Sequence, residues 1–282
     1  VPRSHINNAV SLNSALMTGS RVVGPALAGV LVMTVGFGWT FVVDGASYAA
    51  VLVGLAMMRS SELHPSPALE RAKGQVRAGL RYARSVPQLW MPLVMMAVIG
   101  TLAFNFQVVV PLFVALGLGG GDSTFTLLFS VLSLGSLVGA LVVARRTDTT
   151  VRRVGMTAIA FGVSMALLAV APGTGFAFVV GPLIGVASIA FMTASTALVQ
   201  TEAAPEMRGR VLALQAMVFL GSTPIGGPIV GRIAEDLGAR FAAAVGALAC
   251  LGAGAWGVVV ARRDHIDEPV RGSGPGHLVT TA

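Results

Sequence analysis

Long stretches of this chain carry almost no polar punctuation. Eight apolar runs follow one another, approximately Ala9 to Thr34, Phe37 to Met58, Leu89 to Leu116, Thr124 to Ala144, Val154 to Ala171, Thr174 to Val199, Val211 to Ile233 and Phe241 to Ala261. Each reaches the length that a bilayer demands of a helix, about 17 to 25 residues. None shows the apolar and polar alternation of a barrel strand, and lipid offers no water to unpaired backbone groups, so all eight are expected to be helices. Connections are short apart from Arg59 to Gln88. Within that connection, Ala68, Leu69, Ala72, Val76, Leu80 and Ala83 recur at helical spacing, which predicts an amphipathic surface helix over Ala68 to Arg84 with its cationic face toward anionic lipid head groups.

Composition agrees with this pattern. Hydrophobic residues make up 55% of the 282 positions and charged residues 11%, against about 25% charged in ordinary soluble domains. So few charges cannot cover a water-facing surface, and the fold class expected is an all-α polytopic membrane protein.

The net charge of +7 is explained by where the cations lie. If both termini are cytoplasmic, alternate loops hold nearly all of them, among them Arg3, Arg59, Arg71, Lys73, Arg77, Arg81, Arg84, Arg145, Arg146, Arg152, Arg153, Arg208, Arg210, Arg262, Arg263 and Arg271. Arg240 alone falls on the other side, and Arg21 and Arg232 fall within spans. This is the positive-inside pattern. It leaves no aromatic and basic surface for nucleic acid.

Other chemistries find little support. Cys250 is the single cysteine and lies in the last span, and His5, His64, His265 and His277 share no ligand spacing, so no metal site is expected. No nucleotide-binding, nucleophile-elbow or zinc-protease motif stands in a context that gives it meaning, and no clustered His, Asp or Glu suggests a membrane enzyme. No run resembles a cleavable signal peptide.

The chain contains an internal echo. RVVGPALAG, Arg21 to Gly29, aligns with TPIGGPIVG, Thr223 to Gly231, on their Gly-Pro pairs, and Pro2 then falls on Pro205. In both copies a proline in a polar loop leads into an apolar helix with Gly-Pro late in it. Parallel repeats of this kind mark transporters. Six spans separate the two copies, so the unit is six helices and a whole protein has twelve; helices one to four are then expected to precede Val1, with the chain a fragment.

The stretch from Val1 to Leu52, the half-linker GLRYARSVPQLW and the loop EAAPEMRGRVLALQ resemble the major facilitator superfamily, and within it the bacterial branch of enterobactin-exporter-like and macrolide-efflux-like proteins. The resemblance implies helices five to twelve of that fold. Residues 1–58 would end the N-terminal half with two helices, 59–88 form the cytoplasmic half-linker with its amphipathic helix, 89–263 form the C-terminal half of six helices, and 264–282 form a disordered cytoplasmic tail. It also implies a gating loop between helices eight and nine, here Gly139 to Gly155. That loop keeps Gly139, Arg145, Arg146, Arg152 and Arg153, but Asp148 is displaced from the position of the family's aspartate.

Several residues inside the spans are candidates for substrate or gate contact. Arg21 lies about 14 residues into its helix, some 20 Å from the cytoplasmic end, and an intramembrane charge needs a cavity or a partner. Gly24 and Pro25, one turn on, break or bend that helix, and Gly227 and Pro228 are their counterparts. Asp44 is the only carboxylate well inside a span and so the candidate for ion coupling; it stands about 10 Å nearer the outer face than Arg21, too far for direct pairing. Asn105, Gln107, Gln200 and Gln215 either line a pathway or tie helices together. The pairs Gly135 with Gly139, Gly181 with Gly185 and Gly227 with Gly231 permit close helix packing.

The function expected is a secondary active transporter exporting a small organic compound, such as a drug or siderophore, by alternating access. An ion or proton gradient supplies the energy and no cofactor is expected. Its partners are the lipid bilayer and a small-molecule substrate, its location the bacterial inner (plasma) membrane, and its state monomeric. The alternative is a truncated, transport-incompetent membrane protein.

Overall fold

The computed structural model describes residues 27, 31, 34–36, 38–58, 74–144 and 150–263. Among them are seven helical segments long and apolar enough to cross a membrane, and no strand. They match seven of the eight expected runs. The first run lies outside the described residues except for Leu27, Leu31 and Thr34, as do the N-terminal repeat copy, Arg59 to Lys73, Arg145 to Thr149 and the tail from Asp264.

The first described span, α1 (Gly38–Ala56), is exposed along its length. A short helix, α2 (Gln75–Ser85), starts at Gly74, whose φ of 95° suits glycine. Next come α3 (Pro87–Leu102) and α4 (Phe106–Leu112), the latter continued by a wider π-type turn over Phe113–Gly117. Then follow α5 (Asp122–Ala144), α6 (Val151–Ala169), α7 (Thr174–Glu202), α8 (Pro205–Leu237) and α9 (Ala239–Arg263). Proline opens both α3 and α8, where its missing N–H has no helical partner to lose. Thr150 caps α6 by accepting from the Arg153 N–H at 3.2 Å.

From Pro87 to Arg263 the spans pack into one bundle, with α6 against α9 and α5 against α7 as its most extensive pairs. Lipid is as apolar as leucine, so helices gain by approaching closely through small residues rather than by leaving water. A side chain on Gly155 would meet the Gly254 carbonyl at 2.8 Å, and one on Gly162 the Ala247 carbonyl at 2.9 Å. Gly135 and Gly139 lie against Pro182 and Val186, and Gly185 against Leu132 and Ser136. Two of the three expected small-residue pairs are thus in close packing. The third differs, because Gly227 and Gly231 make only ordinary contact with Val108, and the crowded glycine of α8 is Gly226.

Met95, Ile99, Phe113, Phe161, Met165, Ile184 and Phe191 fill the centre of the bundle. A second cluster, Ala83, Leu89, Leu93, Val199, Ala203 and Val211, closes the end where α3 and α8 begin. Large apolar side chains such as Leu134, Val179, Leu220, Leu248 and Val259 stay on the outside, as a surface facing acyl chains requires. Every described arginine except Arg232 and Arg240 sits at the α2 end of the bundle.

One expectation about a single element is corrected. The run Leu89 to Leu116 is not one helix but two, interrupted at Ala103–Asn105. The linker helix, expected as an amphipathic surface helix, leaves Val76 and Leu80 exposed and docks on α8 through Gly79 and Ala83, small residues that allow the close approach.

Candidate functional site

The interruption falls about halfway along the span Pro87–Gly117. Asn105 causes it locally. Its Nδ2 donates to the Thr101 carbonyl at 2.6 Å, in place of a regular backbone partner, and its own backbone stands at φ −89°, ψ 45°. The Ala103 and Phe104 N–H groups both turn back to the Ile99 carbonyl, at 2.8 and 3.2 Å. The chain resumes as α4 when Val108 and Val109 donate to the Asn105 carbonyl. Pro111 then removes one more helical donor before the turn at Phe113.

Opposite the interruption stands the least regular part of α8. Pro224 and Pro228 lack N–H groups, so the carbonyls four residues before each lose their helical donors. Between them Gly226 lies directly against the Thr101 carbonyl and 2.7 Å from Asn105 Nδ2, measured from where a Cβ would stand. One turn earlier, Ser222 Oγ sits beside Gly100 and donates to the Phe219 carbonyl at 2.6 Å. Two weakened helical segments therefore meet at one depth.

Around them the side chains form two layers. The first is aromatic: Phe104 touches Phe161, Phe219, Phe106 and Phe191 at ring-centroid distances of 5.2, 5.3, 5.8 and 6.4 Å, and meets Phe219 edge to face at 83°. Phe161 and Phe191 are fully buried, while Phe104, Phe106 and Phe219 are half-buried. The second layer is polar and lies one helical turn from the first. Gln215, four residues before Phe219, donates from Nε2 to Ser195 Oγ at 3.1 Å and Thr196 Oγ1 at 3.3 Å.

Asn105 is 2% exposed. Its Oδ1 and the Oε1 of Gln215 have no hydrogen-bond partner among the described residues. Two buried carbonyl oxygens without donors are costly in an apolar medium. They can accept from a guest's N–H or O–H groups, while the phenylalanines contact its apolar body. No described carboxylate lies in either layer.

The other sequence candidates are dispersed. Gln107 is exposed, one turn from Pro111, and Gln200 is exposed near the end of α7. Asp44 is exposed on α1 and its backbone carbonyl accepts from Ser47 Oγ at 2.7 Å. Gly227 borders Val108, and Pro228 lines an open groove with Ile229, Arg232, Ile233, Asp236 and Leu237. There Arg232 Nε donates to Asp236 Oδ2 at 3.0 Å, so this intraspan charge has a partner one turn away on its own helix. Of the expected gate loop, Gly139 lies within α5, and Arg152 and Arg153 stand in the first turn of α6. Arg145, Arg146, Asp148, Arg21, Gly24 and Pro25 lie outside the described residues.

Beyond the layers, Arg240 joins two helix ends at the other face of the bundle. It donates to the Ala169 carbonyl at the end of α6 and to the Gly117 carbonyl at the end of the π-type turn, both at 3.3 Å, with its guanidinium 5.8 Å from the Phe113 ring. A cation at helix C-termini is favourably placed.

The family model described as transmembrane secretion effector matches residues 1–271, and its label places it among major facilitator proteins. The chain belongs to the transmembrane secretion effector family. No curated protein matches it. Membership accounts for the multi-pass helical architecture and makes the molecule a membrane transporter of the major facilitator type. For a member of this family, the sequence reading missed Phe104, Phe106, Phe161, Phe191, Phe219, Ser195 and Gly226. The available signal was the Phe104-Asn105-Phe106 triplet, an amide between two aromatics inside an apolar run with Pro111 a turn and a half beyond.

Proposed function

We propose that the protein is a secondary active exporter of a small organic amphiphile, of drug or siderophore type, working by alternating access. The observation that carries the reading is the meeting of two weakened segments, the interruption at Ala103–Asn105 and the Pro224–Pro228 stretch of α8, at Gly226. Discontinuous helices near the bilayer midplane are where transporters bind substrate and bend. The orphan oxygens of Asn105 and Gln215 are buried in the described conformation, so a guest reaches them only after α4 or α8 moves. That is the behaviour an alternating site needs.

The energy source in this reading is an ion or proton gradient, with Asp44 as the coupling group within this chain. The membrane is the bacterial inner membrane and both termini are cytoplasmic, because the arginine-rich end then faces the cytoplasm. The solute is a small molecule and the chain acts without catalysing a covalent step.

The test is accumulation of a fluorescent lipophilic amphiphile, Nile red, in cells lacking their main efflux pumps. Cells expressing the protein should retain less dye, and a gradient-collapsing protonophore should restore retention. Equal retention with and without the protein, across apolar, cationic and neutral dyes, would sink the reading.

A further inference from the structure

The sequence of α2 carries Arg77, Arg81 and Arg84 and no acid. Winding of about 100° per residue divides its surface into three sectors. In the first, Gly79 and Ala83 are buried and Ala78 and Tyr82 half-buried. This sector rests on α8, where a Cβ on Gly79 would lie 3.2 Å from Leu214 Cδ1 and 3.3 Å from Arg210 Cβ. Tyr82 fixes it by accepting the Ala204 N–H on its phenol oxygen at 3.0 Å.

The second sector holds Val76 and Leu80, 54% and 36% exposed. The third holds Arg77, Arg81 and Arg84, all exposed. An exposed apolar strip thus runs directly beside a row of guanidinium groups. Among the described residues no carboxylate pairs with any of the three. Among the described residues, the acids at this end are Glu202 and Glu206, in the last turn of α7 and the first of α8.

Depth decides what meets this surface. Only Val86 separates α2 from α3, which begins at Pro87 as a membrane span. Trp90 in the first turn of α3 lies 4.9 Å beneath the Arg84 guanidinium, and tryptophan marks the boundary between head groups and acyl chains. The helix therefore lies at that boundary, where an apolar strip enters the acyl region and adjacent cations meet phosphates.

We propose that α2 is a binding surface for anionic phospholipid. Val76 and Leu80 sit among the upper acyl carbons, Arg77 and Arg81 hold head-group phosphate, and Arg84 is kept over Trp90 at the edge of the same site. Arg208 and Arg210, at the start of α8, add to the positive field there. A linker helix serving connection alone needs neither the uncovered apolar strip nor a row of exposed arginines that meets no carboxylate among the described residues. An acidic protein would satisfy the arginines but leave Val76 and Leu80 at the level of the bilayer.

The experiment uses the full chain with Trp39→Phe and Trp256→Phe, which leaves Trp90 as the only tryptophan. It is reconstituted in vesicles, and quenching of Trp90 by brominated phosphatidylglycerol is compared with quenching by brominated phosphatidylcholine. Each arginine near the surface is worth about a 5-fold preference for anionic lipid. We expect phosphatidylglycerol to bind beside Trp90 at least about 5-fold more tightly at low salt, with the preference shrinking at high salt. Arg77→Gln with Arg81→Gln should bring the ratio close to 1, while Arg77→Lys with Arg81→Lys should keep it. Both positions are exposed, so all variants should elute as the parent does. Equal quenching by the two lipids in the parent would overturn the proposal. So would a preference that survives the glutamine pair, or one lost equally with lysine.

Discussion

Gly226 of α8 lies against the Thr101 carbonyl of α3 so closely that a methyl group in its place would overlap that oxygen. The contact joins two helices at the one depth where both have lost regular hydrogen bonds, and it cannot be relieved by rotating a flexible side chain, because the obstacle is backbone. We expect Gly226→Ala to destabilise the protein by about 1 to 3 kcal/mol, the usual effect of overpacking. Gly227→Ala, whose new methyl would meet only Val108 at 3.8 Å, should change stability by less than about 0.5 kcal/mol. Thermal unfolding in detergent, followed by intrinsic fluorescence, compares the two; equal losses would mean that the close approach at Gly226 carries no special constraint.

Asn105 separates stability from function. Its side chain ends α3 and leaves Oδ1 without a donor, so Asn105→Ala removes a buried unpaired oxygen and restores a good helix former. Stability should stay within about 1 kcal/mol of the parent or rise, while dye efflux should fall severalfold. Efflux that survives intact would remove the interruption from the transport cycle.

Gln215→Leu deletes two hydrogen bonds joining α8 to α7, to Ser195 and Thr196. Polar contacts between membrane helices are individually modest, about 0.6 kcal/mol on average, so a loss of about 1 kcal/mol is expected. The sharper readout is selectivity. Dyes with N–H or O–H donors should lose efflux more than purely apolar dyes, and a uniform loss across both groups would make Gln215 a strut alone.

Arg240→Ala should loosen the far end of the bundle without disturbing the centre. Two bonds, to Ala169 and Gly117, are lost from an exposed side chain, at a combined cost of about 1 kcal/mol. Hydrogen exchange should accelerate at Leu118 and Gly120, whose N–H groups close the turn on Phe113 and Val114, and not at Phe161 or Phe191. Exchange that accelerates everywhere would indicate global destabilisation instead.

Asp44→Asn tests the energy source. If the carboxylate senses the gradient, the substitution should abolish gradient-driven export by the intact protein while leaving its amount in the membrane unchanged. Full export by the variant would assign coupling to another group.

The spans were legible in the sequence because the bilayer imposes one requirement, a long run of apolar residues, that composition displays directly. Seven described segments lie where the runs of Phe37 to Ala261 placed them. The interruption at Asn105 was not legible, since an apolar run with one asparagine reads equally as a continuous helix; it depends on Asn105 turning back to Thr101 and on Gly226 pressing from another helix. The aromatic layer was hidden for a related reason. Phe104, Phe161, Phe191 and Phe219 come from four different segments, and no local pattern shows that they converge. Small-residue pairs were readable as packing surfaces but not as to which partner they meet, so Gly135 and Gly185 were anticipated and Gly226 was not.

Tyr82 takes the Ala204 N–H at 3.0 Å, and Ala83 is sealed into the cluster with Leu89 and Val211. The linker helix is therefore owned by the bundle that follows it, from Gly74 onward. A nick in the polypeptide just ahead of Gly74 would sever none of the packing described for that bundle. The gene can accordingly be split at this point, and the product from Gly74 onward is expected to keep the packing of its bundle in the membrane.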